Sequence, residues 1–165
     1  MKSLIKQQKG YLLITSLMLL VMLTVLGLAQ VSINTTQTQI VTNTVDAEIS
    51  FEKTEGAVNQ AINQLLANNY SSFNFLNNAN GLYIFNVNAD PVWRTVNWDS
   101  STTVINSFSG IDGRQAKYLI EQLPSVVQPG QNMKSLTRIY RITGRAVGQN
   151  GASSILIQST VQVRN

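Results

Sequence analysis

Tyr11-Leu-Leu-Ile-Thr-Ser-Leu-Met-Leu-Leu-Val-Met-Leu-Thr-Val-Leu-Gly-Leu-Ala29 is a run of nineteen residues without a charge. As a helix rising ~1.5 Å per residue it spans ~28 Å, close to the hydrocarbon thickness of a bilayer. Leu12, Leu13, Ile14, Leu17, Leu19, Leu20, Val21, Leu23 and Leu26 leave it no polar face, so it does not read as a half-buried core helix. Thr15, Ser16 and Thr24 interrupt the run, but hydroxyls in a helix can bond back to its own carbonyls. Lys2, Lys6 and Lys9 precede it, which favours a cytoplasmic start for a membrane-spanning stem.

Beyond Ala29 the chain stays uncharged as far as Val45. The stretch from Gln30 to Val45 has neither Pro nor Gly, so nothing in it signals a turn. Its β-branched and Asn-rich content makes it a weak helix former that could still continue a helix. A clearer helical pattern follows. Ala47, Phe51, Thr54, Val58, Ala61 and Leu65 recur at spacings of four and three, with Ile62 and Leu66 widening the stripe. Glu48, Glu52, Glu55 and Asn59 form the opposite face. Joined together, these segments predict one helix from about Leu12 to about Asn69, on the order of 85 Å long. A hydrophobic stem carrying a head accounts for such a helix better than a globular core does.

Length and composition narrow the rest. The 165 residues suit one ordinary domain. Only 12% are charged, about half the usual share. Twelve Lys and Arg stand against eight Asp and Glu, a formal +4, and there is no Cys or His. Disulfides, a lipid-modified cysteine, thiol chemistry, imidazole ligands and His-dependent triads are thereby excluded. No nucleophile or metal motif frames the remaining Ser, Lys and Asp residues, so no catalytic residue, cofactor or metal is expected.

The remainder reads as an antiparallel head. Asn68 to Gly81 is a polar loop broken by Phe73, Phe75 and Leu76. Strands are predicted at Leu82–Val87, around Ser101–Phe108 and at Ala116–Leu123, the last with a short helix as an alternative. Turns are predicted at Asp90-Pro91 and Ser109–Gly113, and Pro124 and Pro129-Gly130 bracket a loop. Thr137–Val147 and Ala152–Val163 alternate well and flank Gly148-Gln-Asn-Gly151, a strong hairpin signal. The fold class is therefore α+β: a long amino-terminal helix packed on an antiparallel sheet of about four strands. The organisation is a leader at 1–10, a stem at 11–29, a helical continuation at 30–69 and a globular head at 70–165.

Three features invite chemical readings. Asn86-Val-Asn-Ala-Asp90 has the alternating oxygens of a calcium loop but lacks the Gly and the distant Glu, so a turn with Asx hydrogen bonds is preferred. Trp93 and Trp98 read as core packing ahead of an exposed partner anchor. The carboxyl-terminal hairpin is basic, with no acid after Glu121. Arg141 and Arg145 share one face of its strand while Arg138 points to the other. That is no continuous stripe for nucleic acid, and pairing with the acidic helix of a neighbour is preferred.

Two export signals fit the amino terminus, and the residues alone leave both open. A secretory signal would be cut after Ala29, following Gly27-Leu28-Ala29, although the apolar stretch is long for one. Alternatively Lys9-Gly10 before Tyr11 is a basic leader ending in Gly with an aromatic next, the pattern of a type III signal cut by a prepilin peptidase. The sequence of leader Gly, apolar stem, Thr-rich segment and amphipathic helix resembles a type IV pilin, and more narrowly a minor pilin of the PilX type. Phe51-Glu-Lys-Thr-Glu-Gly-Ala-Val58 is similar to that family's Phe-x-x-Ala-Glu-x-Ala-Leu segment, with Glu55 at its Glu. Ala116–Leu123 resembles its Tyr-hydrophobic-Ile-Glu segment, and Tyr140–Gly148 and Ile155–Thr160 resemble its closing strands.

The resemblance implies cleavage after Gly10, methylation of the new Tyr11 amine and insertion in the inner membrane. A subunit of a pilus used for twitching motility or cell adhesion would follow. It further implies other minor pilins, the major pilin, a tip adhesin, the prepilin peptidase and an inner-membrane assembly platform as partners, besides membrane lipid. There are two departures: the leader is longer than in some pilins, which does not weaken the cut, and the fifth mature position differs. Most pilins carry Glu at the fifth mature position, which is Thr15 here. A carboxylate in a membrane needs a positive partner, and Thr15 cannot form that pair; the resemblance then implies a place at the filament tip. Subunit contacts are expected at Thr15, Glu48, Glu52, Glu55, Arg141 and Arg145. Rival readings are a K-type pseudopilin of type II secretion, a secreted binding domain beginning at Gln30, and a DNA-uptake pilin. With the leader removed, nine bases face eight acids, and the basic precursor becomes a nearly neutral mature chain.

Overall fold

The computed structural model describes residues 4–67, 73–109, 113–127, 129–130 and 136–164. The chain divides into two compact units, Met1–Asn43 and Thr44–Asn165. Helix α1, Leu4–Ala67, contributes residues to both.

In the first unit every residue from Gly10 to Asn43 is helical and exposed. The helix starts before Leu12, the expected first residue, because Lys6, Gln7, Gln8 and Lys9 are good helix formers and Gly10 alone does not break it. Its hydroxyls are satisfied within the helix. Thr15 Oγ1 donates to the Tyr11 and Leu12 carbonyls (3.0 Å each), Ser16 to Leu13 (2.9 Å) and Thr24 to Val21 (2.8 Å). Thr35, Thr36, Thr38 and Thr42 do the same along the polar continuation. The weak helix formers thus give the backbone no competing turn to adopt.

In the second unit α1 packs on a five-stranded sheet. The strands are β1 (Leu82–Ile84), β2 (Ile105–Ser109), β3 (Gln115–Val126), β4 (Thr137–Val147) and β5 (Ser154–Arg164). A single-turn helix α2, Val92–Thr95, lies between β1 and β2. The order is β1-β3-β4-β5, and β2 also pairs with β3. Ala57, Val58, Ala61 and Leu65 of α1 share a core with Ala116, Tyr118 and Ile120 of β3, with Tyr140, Ile142 and Ala146 of β4, and with Val163 of β5. Gly144 permits the close approach. A Cβ there would lie 2.7 Å from Val58 Cγ2 and 3.1 Å from the Thr54 carbonyl oxygen.

The α+β class and the carboxyl-terminal hairpin match the sequence reading. β4 and β5 pair through eleven positions in unbroken antiparallel register, from Thr137↔Arg164 to Val147↔Ser154. Four details differ. The sheet is mixed, because β1 runs parallel to β3 with Leu82 opposite Ile120. β1 is also shorter than Leu82–Val87, since Asn86 begins an Asx turn. Pro124 lies inside β3, at a register irregularity between Leu123 and Val126, where a residue without an N–H is tolerated. The apolar stripe is correct at Thr54, Val58, Ala61 and Leu65, but Phe51 and Leu66 are about half exposed. Asp46, Ser50 and Lys53 are buried on the upper turns instead, because those turns face the polar hairpin connection rather than apolar sheet. The predicted helix end at Asn69 and part of the Ser109–Gly113 turn lie outside the described residues.

Candidate functional site

The predicted site residues divide among three surfaces. They fall into an apolar stem, an acidic helix face and a basic sheet face. In the stem, the large apolar side chains from Tyr11 to Leu28 are 53 to 73% exposed. Burying one Leu or Val is worth about 1.5–3 kcal/mol, so this surface calls for lipid or other apolar helices. The helix is long and apolar enough to cross a membrane. Because the Thr15 hydroxyl already donates to its own helix, the stem can enter an apolar medium without an orphaned donor.

The acidic face sharpens once burial is known. Glu48, Glu52 and Glu55 are exposed, at spacings of four and three along α1, and none forms an ion pair among the described residues. Asp46, two residues before Glu48, is only 2% exposed. Its Oδ1 accepts from the Asn150 N–H (2.7 Å), and its Oδ2 accepts from the Ser153 N–H (3.0 Å) and Oγ (2.8 Å). The Asn150 amide, then the Ser153 hydroxyl, hold this carboxyl below the ordinary aspartate range, outweighing the opposing effect of burial, with a smaller contribution from Arg114. Gly148 packs directly on the Asp46 carboxylate, leaving no room for a Cβ. Lys53, the base of this segment, is also buried and donates to the Val147 carbonyl (3.3 Å). The exposed helix face is therefore purely negative.

On the basic face the two predicted arginines have different fates. Arg141 binds Glu121 in two places, Nε to Oε2 at 2.8 Å and Nη2 to Oε1 at 3.0 Å, and Glu121 is 1% exposed. Its guanidinium carbon also sits 5.3 Å from the Phe85 ring centroid. Arg145 donates Nε to Ser154 Oγ (3.0 Å) and lies over Trp98, 5.8 Å from the ring centroid. Arg141 is thus committed inside the head, while Arg145 is oriented without a carboxylate. Sequence distance does not mark Glu121 as its partner, because strand pairing brings them together. The register Glu121↔Arg141 is the missing information.

Trp98 is buried with Val104 and Leu119, and Trp93 packs partly against the same cluster, as core packing predicts. Trp98 Nε1 donates to the Trp93 carbonyl (3.1 Å). In Asn86–Asp90 the Asn88 N–H donates to Asn86 Oδ1 (3.0 Å), the Asx turn read from the sequence.

A family model described as Type IV pilus assembly protein PilX C-term matches residues 32–163. No curated protein and no solved structure matches the chain. The match takes in most of the polar continuation of α1, the acidic face and the described strands of the head, while the leader and the apolar stem at 11–29 lie outside it. An apolar, exposed helix leading into this head fits a membrane-anchored pilus component, and the chain belongs to the PilX family of type IV pilus assembly proteins.

Proposed function

We propose that this protein is a non-catalytic minor pilin that primes pilus assembly, in a tip complex with other minor pilins and an adhesin. The observation that carries the reading is the uncharged, exposed helical run from Tyr11 to Ala29 in a chain of this family. The preprotein enters the inner membrane once, with Lys2, Lys6 and Lys9 on the cytoplasmic side. Prepilin peptidase cuts after Gly10, and the amine of Tyr11 is methylated. The stem then leaves lipid for the bundle of other stems, guided by the assembly platform. Its apolar surface stays dry in both settings, so extraction need not expose it to water. Thr15 meets neighbouring stems through its methyl group and demands no positive partner, which suits a subunit at the tip. Glu48, Glu52 and Glu55 on one side and the basic sheet face on the other supply contacts between heads.

Intact mass of the mature protein tests the reading. Loss of ten residues is expected, and Gly10→Val should leave full-length preprotein and fail to restore surface pili to a deletion strain. Loss of 29 residues, or normal piliation in the deletion strain, would overturn it.

A further inference from the structure

Two pairs of charged residues face each other across β3 and β4, on the side of the sheet away from α1. Glu121 stands opposite Arg141, a matched pair. Four residues along each strand, Lys117 stands opposite Arg145, two cations in register. Like charges directly opposite one another destabilise a sheet. Lys117 Nζ donates to the Trp98 carbonyl (2.7 Å) and lies 3.6 Å from Asp99 Oδ1. The Asp99 side chain, however, is 96% exposed, and such surface pairs contribute little. The Arg145 guanidinium is held by Ser154 and Trp98, and its terminal amino groups donate no hydrogen bond among the described residues. Arg114 joins Lys117 and Arg145 in lining a cavity of about 370 Å³. Asp99 also lines it, and Arg114 acts in addition on Asp46, so the cationic surplus of the lining rests on Lys117 and Arg145. A planar, pre-oriented guanidinium in such a cavity suits a carboxylate from outside.

We propose that this cavity receives the Glu48, Glu52 and Glu55 face of α1 from a second copy of the chain. Glu48, Glu52 and Glu55 of the same chain cannot fill it. α1 packs on the face carrying Tyr118, Ile120 and Ile142, whereas Lys117 and Arg145 project from the other side. Both surfaces keep a charge surplus after folding: Asp46 and Lys53, one charge of each sign, are buried together, and Glu121 and Arg141 cancel as a pair, which leaves Glu48, Glu52 and Glu55 on one surface and Lys117 and Arg145 on the other. The contact joins two different patches, so it is heterologous rather than an isologous two-fold contact. It rests on the reading of the protein as a filament subunit. A nucleic acid is the weaker occupant, because the buried Trp98 ring offers no open face for a base.

Charge reversal tests the proposal, using the full chain in detergent micelles and sedimentation to measure association. Wild type should self-associate in low salt and lose most of that association near 1 M salt, where the screening length falls to ~3 Å. Arg145→Glu and Glu52→Arg should each weaken association at least about tenfold, or ~1.4 kcal/mol. An equimolar mixture of the two should recover it, since each reversed patch then meets its complement on the other variant. Arg145→Glu places an acid opposite Lys117, so the thermal stability of the head should hold or rise, which separates a lost contact from misfolding. Association that ignores both variants and salt, or a mixture no better than either variant alone, would overturn the proposal. So would a salt-sensitive gel shift with duplex DNA that Arg145→Glu abolishes in the absence of self-association. A monomeric wild type that is still cut after Gly10 and still supports piliation would remove this contact and leave the assembly reading standing.

Discussion

Leu19 and Leu65 belong to one helix, yet Leu19 is 60% exposed and Leu65 fully buried. Around Leu19 every helix face is apolar and the hydroxyls are tied to the helix backbone. Around Leu65 one face meets β3, β4 and β5 and the other is left to solvent. Secondary structure is the same in both places, so it says nothing about the medium each part needs. Composition and pattern do: a stem with no polar face suits lipid or a helix bundle, whereas a one-sided stripe suits a sheet.

Truncation puts this contrast under the heaviest load. Leu65→Ala should destabilise the head by about 2–5 kcal/mol, seen in denaturant unfolding of the full chain in micelles. An unchanged midpoint would mean that α1 does not hold the sheet.

Acid provides a second, intermediate probe. The Asp46 carboxyl titrates below its unfolded value of ~3.9. Its contribution to stability is therefore present above that value and is lost as pH falls through the lower, folded-state value. Thermal melts of wild type should decline below about pH 4 towards those of Asp46→Asn. The variant should be less stable than wild type at neutral pH and flatter in that acid window. Parallel pH curves would show that the helix–turn contact adds nothing.

The smallest effect belongs to the stem. Leu19→Ala should leave head unfolding within about 0.5 kcal/mol of wild type, because Leu19 is exposed and belongs to the other compact unit. A larger shift would erase the distinction between the two stretches.

Much of this was readable from the residues alone. The stem was legible because nineteen consecutive uncharged residues admit few other uses. The β4–β5 hairpin was legible because alternation and Asn-Gly act locally. Asp46 was not, since its identity as an acid next to Glu48 says nothing about the Asn150 and Ser153 amides waiting a hundred residues away. Phe51 misled for the same reason: helical spacing gives the stripe, but the polar hairpin turn decides which turns of it are covered. β1 was foreseen as a strand, but its parallel direction depends on how the chain from Gly81 approaches β3.

Sequence by itself determined the stem, the acidic stripe and the hairpin, because hydropathy, helical period and turn chemistry operate over a few neighbouring residues. Tertiary structure alone decided which charges remain for a partner. Strand register placed Arg141 on Glu121 and Arg145 against Lys117, and helix packing withdrew Asp46 and Lys53 from the surface. A side chain's charge is set by its type, but whether that charge is neutralised within the chain depends on residues that only folding brings within reach.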